Sequence, residues 1–144
     1  KTLRKATVIR EIQEADCFIN VPVAKHHSGA GLSIGLKNLM GAVWDRGEWH
    51  SDGLGQCIAD YALAVRPHVT VIDATTIMVT GGPKGPGETK KPNEVICSTD
   101  PVAADVYAAS LFGMKPQDLE YLLRASDHGL GELDPSKVDV KRVG

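Results

Sequence analysis

The chain has 144 residues, the size of one domain, and its 42% hydrophobic and 24% charged residues suit an ordinary globular core. A net charge of -2, with basic residues mixed among acidic ones, excludes the strongly basic surface of a nucleic-acid-binding protein. The sequence has no apolar run that approaches the ~18 residues needed to span a bilayer, so we expect neither nucleic acid nor membrane as a partner.

Hydrophobic patterning predicts strands and helices that alternate along the chain. The predicted strands cover residues 6–9, 17–23, 69–73 (with an extended continuation over 75–79), 93–98 and 138–140. The predicted helices cover a turn at 12–15 and then residues 33–43, 54–65, 100–113 and 116–125, while the Gly- and Pro-rich residues 81–87 form a loop. This alternation predicts an α/β fold, a mostly parallel sheet with helices on both faces, in a single domain over residues 1–144.

The cysteines and the first residue limit what this segment contains. Cys17, Cys57 and Cys97 are widely spaced with no Cys-x-x-Cys pair, so we expect reduced, buried thiols and no local zinc or iron–sulfur site. The cofactor is therefore left unknown, with an iron–sulfur cluster expected only outside this segment. Because the chain begins at Lys1 without Met, we expect a fragment whose N-terminal part is missing.

The segment 20–38 carries the main functional signal. An apolar strand ends in Lys25-His26-His27, a glycine-rich loop follows, and a helix with a predicted N-cap at Ser33 carries Lys37. Ligands of open α/β sheets bind beyond the carboxyl ends of the strands. Glycines allow main-chain N–H groups to converge on an oxyanion, and a helix N-terminus adds positive charge. We therefore predict a carboxylate or phosphate site in which Lys25, His27 and Lys37 are the catalytic residues.

The glycine spacing excludes two common phosphate-binding motifs. A P-loop needs Gly-x-x-x-x-Gly-Lys, but Gly31 and Gly35 are too close together and Leu36 separates Gly35 from the lysine. The dinucleotide fingerprint Gly-x-Gly-x-x-Gly fails because Gly29-x-Gly31 is followed by glycine at position 35 rather than 34. A capped turn with solvated lysines is the structural alternative to a binding site.

Further residues are predicted to bind the same ligand, and they are Gly31, Ser33, Gly35, Asn38, His50, Asp73, Gly82 and Asp105. Asp73 ends a buried strand at the predicted ligand edge, where either a ligand contact or a turn is expected. Gly82 belongs to a loop that acts as a lid, as an anion-binding nest or as a plain flexible connection. Asp105 falls on a different helical face from the N-cap Asp100 and needs its own explanation. His50, in an aromatic loop, would close over the site. It would also join His26 or His27 and an acid in a metal site, but no local spacing identifies a metal.

Three short motifs support this site from another direction: Asn20-Val21-Pro22, Lys25-His26-His27 and Gly35-Leu36-Lys37-Asn38-Leu39-Met40-Gly41. These motifs resemble the prokaryotic domain-of-unknown-function family 362. Further matches to that family follow along the chain at Arg46, His50, Asp60, Pro67, Ile72-Asp73, Gly81-Gly82-Pro83, Asp100 to Asp105 and Gly129-Leu130-Gly131. The resemblance implies a ferredoxin-type iron–sulfur module as a partner and a lysine-bearing N-terminal strand that is missing here. It leaves localisation open, either cytoplasmic or exported through a twin-arginine signal on the missing part.

A more distant likeness concerns the spacing of His27 and Lys37. Lys37 follows His27 by ten residues across a glycine-rich loop, which is similar to the nickel-pincer lactate racemases. In that family the lysine holds the pincer cofactor covalently and the histidine transfers protons. The likeness implies a shared architecture and directs attention to His27 rather than to His26.

Two functions of different classes follow from these observations. The first is a cofactor- or anion-binding enzyme domain, with a redox or iron–sulfur linkage, that takes a small-molecule or anionic ligand. The second is a non-catalytic scaffold that docks an iron–sulfur partner or a second chain through a hydrophobic surface around Trp44 and Trp49. Whether the protein is an enzyme, its substrate and its oligomeric state are left undetermined by the sequence.

Overall fold

The computed structural model describes residues 2–144 and has one sheet with helices packed on it. The strands are β1 (Ile19–Asn20), β2 (Val23–His27), β3 (Gly31–Ser33), β4 (Val69–Met78), β5 (Thr89–Lys90) and β6 (Glu94–Ser98). The α-helices are α1 (Arg10–Glu14), α2 (Gly35–Asn38), α3 (Leu54–Ala64), α4 (Pro101–Ser110) and α5 (Glu120–Asp127). Short 3₁₀ turns cover Leu39–Ala42, Glu48–His50, Pro116–Asp118 and Pro135–Lys137.

Strand β4 is the centre of an open, mixed sheet. It pairs in parallel with β1 and β2 along one edge and antiparallel with β5 and β6 along the other, while β3 returns antiparallel beside β2. The α/β fold class predicted from the alternating pattern is confirmed. The parallel pairing brings the end of β2, with its lysine and histidines, to one edge of the sheet beside Met78 at the end of β4.

One face of the sheet is covered by helices. Alternate β4 side chains, Thr70, Ile72 and Ala74, are buried, as are Ala24 of β2 and Ile96 of β6 beside them. Helices α2 and α4 contact this sheet, and α3 and α5 pack against them and against each other. Helix α4 approaches closely because most of its buried residues are alanine or valine.

The opposite face of the sheet carries exposed apolar side chains. Ile19, Val21, Val23 and Val95 are 53%, 63%, 49% and 62% exposed. A continuous apolar run looks the same in sequence whether or not a second layer covers it. The three cysteine thiols differ in exposure. Cys57 is buried, whereas Cys17 and Cys97 are exposed, contrary to the expectation that all three are buried.

Element ends differ from the predictions for local reasons. The predicted strand 17–23 is interrupted at Pro22, whose carbonyl accepts a hydrogen bond from Asp73 N–H at 2.8 Å. Residues 6–9 form only an isolated bridge, between Val8 and Val43. The predicted helix 33–43 is the short α2 followed by a 3₁₀ turn.

The predicted closing strand 138–140 does not form, and the C-terminal residues instead lie beside β6 and α4. A cavity of about 360 Å³ separates them from these elements. Arg142 Nη2 donates to the Tyr107 hydroxyl at 2.9 Å, and that hydroxyl donates to Glu94 Oε2 at 2.8 Å. Side chains therefore hold the segment where backbone pairing was expected.

Candidate functional site

The turn after β2 is built around the ring of His27. The backbone N–H groups of Gly29 and Ala30 donate to Nδ1 of His27 at 3.0 and 3.2 Å. Gly31 then starts β3 with a φ of 76°, a left-handed conformation that favours glycine. The loop N–H groups that were predicted to converge on an oxyanion thus converge on the imidazole. Because Nδ1 accepts, the neutral ring carries its proton on Nε2.

His27 is held in its neutral form. Burial lowers its pKa to about 4, and the positive charges of Lys37, His50, His26 and Lys25 act in the same direction. The ring centroids of His27 and His50 are 6.5 Å apart with an angle of 62° between the rings. At neutral pH the His27 ring is therefore an uncharged donor at Nε2, next to several cations.

Lys37 is buried on α2, with 9% of the residue exposed. Its Nζ donates to Sδ of Met40 at 3.3 Å, and among residues 2–144 it has no carboxylate partner within 4 Å. Burial, together with the positive charges of Arg46 and Lys25, lowers the pKa of this ammonium. A thioether is a weak acceptor, so the Lys37 charge lacks the partner that a buried lysine normally has.

We call these five side chains, Lys25, His27, Lys37, Arg46 and His50, the cationic cluster. They come from β2, α2 and the loop that follows α2. Every charged group that shifts the pKa of His27 or Lys37 is positive. The sequence predicted four of the five as site residues but not Arg46, whose only signal was its place in the family pattern. Nη1 of Arg46 donates to the carbonyl of Val43 at 3.0 Å.

Asp105 lies outside the cluster, in the core. It is fully buried on α4, and its two carboxylate oxygens accept from Gly35 N–H at 2.7 Å and Leu36 N–H at 2.9 Å. Burial raises its pKa to about 7, against the opposing effect of these two hydrogen bonds. The N-terminus of α2 is thus capped by a carboxylate of the chain itself. Ser33 is not the N-cap, since that position belongs to Ile34.

Asn38 and Gly35 also help to position α2. Asn38 Nδ2 donates to Oδ1 of the buried Asn20, whose Nδ2 donates to the Gly35 carbonyl, both at 2.8 Å. A Cβ at Gly35 would lie 2.5 Å from Oδ1 of Asp105, so the close approach of α4 requires glycine there. These contacts attach the helix that carries Lys37 to β1 and α4.

The remaining predicted ligand residues are spread along the sheet. Gly82 N–H donates to Nδ1 of His26 at 3.1 Å, which attaches the loop 81–87 to β2. Ser33 pairs with Lys25 across the hairpin. Asp73 lies within β4 rather than at its end, and its Oδ1 accepts from the N–H and hydroxyl of Thr75 at 2.9 and 2.7 Å. Asp73 therefore makes a local turn-like contact, away from the end of β2.

A second polar cluster, buried between α3 and α5, was not predicted. Nε2 of His128 lies 2.7 Å from Oδ1 of Asp60, which also accepts from Gln56 Nε2 at 2.8 Å. Oδ2 of Asp60 accepts from the N–H groups of Thr2 and Leu3. Burial alone would raise the pKa of Asp60, but hydrogen bonds, among them those from Leu3, Thr2 and Gln56, hold it well below its usual range. The cluster ties the first described residues to the helical layer.

The described residues limit metal and membrane interpretations. Across residues 2–144, His, Cys, Asp and Glu side chains do not gather in groups of three or more that could hold a metal ion. None of the helices in this part of the chain has the length and apolar character needed to cross a bilayer.

Comparison with known proteins gives one family and a distant relative. The model of the family described as Domain of unknown function (DUF362) matches residues 1–110. The chain is 24% identical over 139 residues to Thylakoid-associated protein sll1697 of Synechocystis sp., covering 91% of this chain and 42% of that protein. It thus spans less than half the length of this relative. No solved structure is significantly similar to the chain.

Proposed function

The chain belongs to the DUF362 family, and we propose that it is an anion-binding domain of an enzyme whose site is the cationic cluster. The ligand is a small carboxylate or phosphate. The observation that carries this proposal is that Lys25 and Arg46 act on the buried Lys37 and have, like Lys37 itself, no ion pair within 4 Å among residues 2–144.

Like charges held close together cost stability, and an anion between them removes that cost. Lys37 feels Arg46 and Lys25, and both burial and these charges oppose its protonation. An anion that binds only the folded protein raises its stability by mass action. A cluster of this kind is therefore expected to bind an anion and to be stabilised by it.

His27 supplies a neutral hydrogen-bond donor at this site. Its Nδ1 is occupied by the Gly29 and Ala30 N–H groups, which leaves Nε2–H to donate to a ligand. Its pKa of about 4 keeps it neutral at physiological pH. A neutral imidazole in this tautomer donates a hydrogen bond from Nε2–H to an oxygen of the bound anion.

Anion titration at constant ionic strength tests the proposal. Sodium phosphate or sodium oxalate replaces sodium chloride, and binding is followed by calorimetry and by the thermal unfolding temperature. We expect both anions to raise that temperature for the parent protein. The rise is lost in Lys25→Gln and kept in Lys141→Gln, a control at an exposed lysine of the C-terminal segment. Equal responses of the parent and Lys25→Gln would overturn the proposal.

The second candidate, an interaction module, is favoured by the open face of the sheet and by Trp44, which is 86% exposed. Trp49, expected on the same surface, is 2% exposed and packs against Tyr61 with ring centroids 5.4 Å apart. We propose a ferredoxin-type module as the partner of this surface. Gel filtration with a ferredoxin tests it: co-elution that Val23→Lys abolishes supports docking, and separate elution contradicts it.

A further inference from the structure

The Lys37 amine is buried, which anion binding alone does not explain. Lysine is almost never fully buried without an acidic partner. Here the amine is held inside the fold by α2, with a thioether sulfur at 3.3 Å as its acceptor. Electrostatic binding of an anion would be served equally well by a more accessible lysine such as the half-buried Lys25, so the burial of Lys37 needs a separate reason.

We propose that Lys37 forms an imine with a 2-oxo acid whose carboxylate is bound by Lys25 and Arg46. This proposal rests on the anion-binding function above and names its substrate class. Lys25 and Arg46 are the two cations whose charges act on Lys37. A carbonyl next to a carboxylate fits this arrangement, because the carboxylate needs cations close to the point where the amine attacks.

The setting of Lys37 favours the reactive form of its amine. Burial and the neighbouring cations lower its pKa, and each unit by which a lysine pKa falls gives about tenfold more free amine at neutral pH. The groups that face it are Lys25 of β2, Arg46 of the following loop and His27, whose own pKa Lys37 lowers. No acid contributes to its shift. Lysines activated by desolvation and a neighbouring cation are known nucleophiles for carbonyl carbon.

The reaction is balanced without an oxidant or reductant. The Nζ lone pair forms a bond to the carbonyl carbon, the C=O π pair moves to oxygen, and proton transfer from nitrogen to oxygen gives a carbinolamine. Loss of the hydroxyl group with a proton then releases one water and leaves the C=N bond. The nitrogen gives up its proton to the departing hydroxyl as water forms, and the Nε2–H of the neutral His27 ring donates a hydrogen bond to that oxygen.

Reductive trapping tests the proposal directly. The protein is incubated with pyruvate and sodium cyanoborohydride, and intact mass and peptide mapping locate the secondary amine. We expect one equivalent at Lys37, with exposed Lys141 labelled far less. Relative to exposed Lys141, which reports the intrinsic reactivity of each carbonyl, acetone is expected to label Lys37 at least about tenfold less than pyruvate does, the effect of about 1.4 kcal/mol of carboxylate binding.

Variants separate this idea from a merely structural lysine. Lys37→Arg keeps the charge and Lys37→Met keeps the packing against Met40; both are expected to lose the trapped adduct while circular dichroism reports folding. Lys141→Gln is expected to label as the parent does. Labelling spread evenly over exposed lysines, or unchanged labelling of either Lys37 variant, would overturn the imine.

The two proposals fail in different ways. If phosphate and oxalate stabilise the protein but pyruvate leaves no adduct at Lys37, the imine is wrong and anion binding stands. If pyruvate and acetone trap Lys37 equally and neither anion changes the unfolding temperature, the reactive amine stands while the 2-oxo acid and the anion site are wrong.

Discussion

Replacing Asp105 by alanine is expected to destabilise the protein strongly, because its carboxylate caps α2 from inside the core. The substitution leaves the buried N–H groups of Gly35 and Leu36 without their acceptor. A buried donor that loses its partner costs about 1–3 kcal/mol. Two of them correspond to about 2–6 kcal/mol, a large part of the 5–15 kcal/mol that typically stabilises a domain. Asp105→Asn keeps one acceptor and is expected to cost about half as much.

Urea unfolding followed by tryptophan fluorescence measures this loss, since the buried Trp49 reports the core. Asp73→Ala is the matched control: Asp73 also accepts two hydrogen bonds, but from the exposed Thr75, whose groups water can satisfy. We expect the control to lose less than about 1 kcal/mol. If Asp105→Ala costs no more than Asp73→Ala, the carboxylate is not a structural cap, and its assignment as a ligand-binding residue returns.

Three more outcomes are expected. Burial raises the pKa of Asp105 to about 7, so between about pH 4 and 7 the folded protein holds a proton that the unfolded chain has lost. The free energy of unfolding, measured in urea, should therefore fall as pH rises through this range. The Asp105→Asn variant should not show this fall. His27 should titrate near pH 4 by NMR, and its pKa should rise in Lys37→Met; an unchanged value would contradict their electrostatic contact. A Cβ at Gly82 would lie 1.9 Å from a backbone oxygen of β2, whereas Gly41 has open space, so Gly82→Ala should lower the thermal unfolding temperature and Gly41→Ala should not; equal effects would contradict this packing.

Helix and strand positions were predictable where the signal is local. Asp100-Pro101 predicted a helix start, and Oδ1 of Asp100 accepts from the Val102 and Ala103 N–H groups at 2.9 and 2.8 Å. The strand predicted over 93–98 is β6, and the amphipathic helix over 54–65 is α3. These elements depend on hydrogen bonds and side-chain periodicity within a few residues, which the sequence states directly.

The role of Asp105 could not be predicted, because its partners lie about seventy positions earlier in the chain. The residues around an aspartate in a helix do not indicate whether its carboxylate binds a ligand, a metal or a backbone N–H group. The open face of the sheet could not be predicted for a similar reason. Valines in a strand do not indicate whether another layer of the protein packs on them.

The sequence by itself determined the chemistry available at the end of β2: two lysines, two histidines and glycines that allow a tight turn. Only the tertiary structure decided how those groups are used. The loop N–H groups bind His27, Asp105 fills the helix N-terminus, and Arg46 joins the lysines from another segment. The physical reason is that hydrogen-bond donors and charges take whichever partner folding brings within reach, and these partners are set by packing between distant segments.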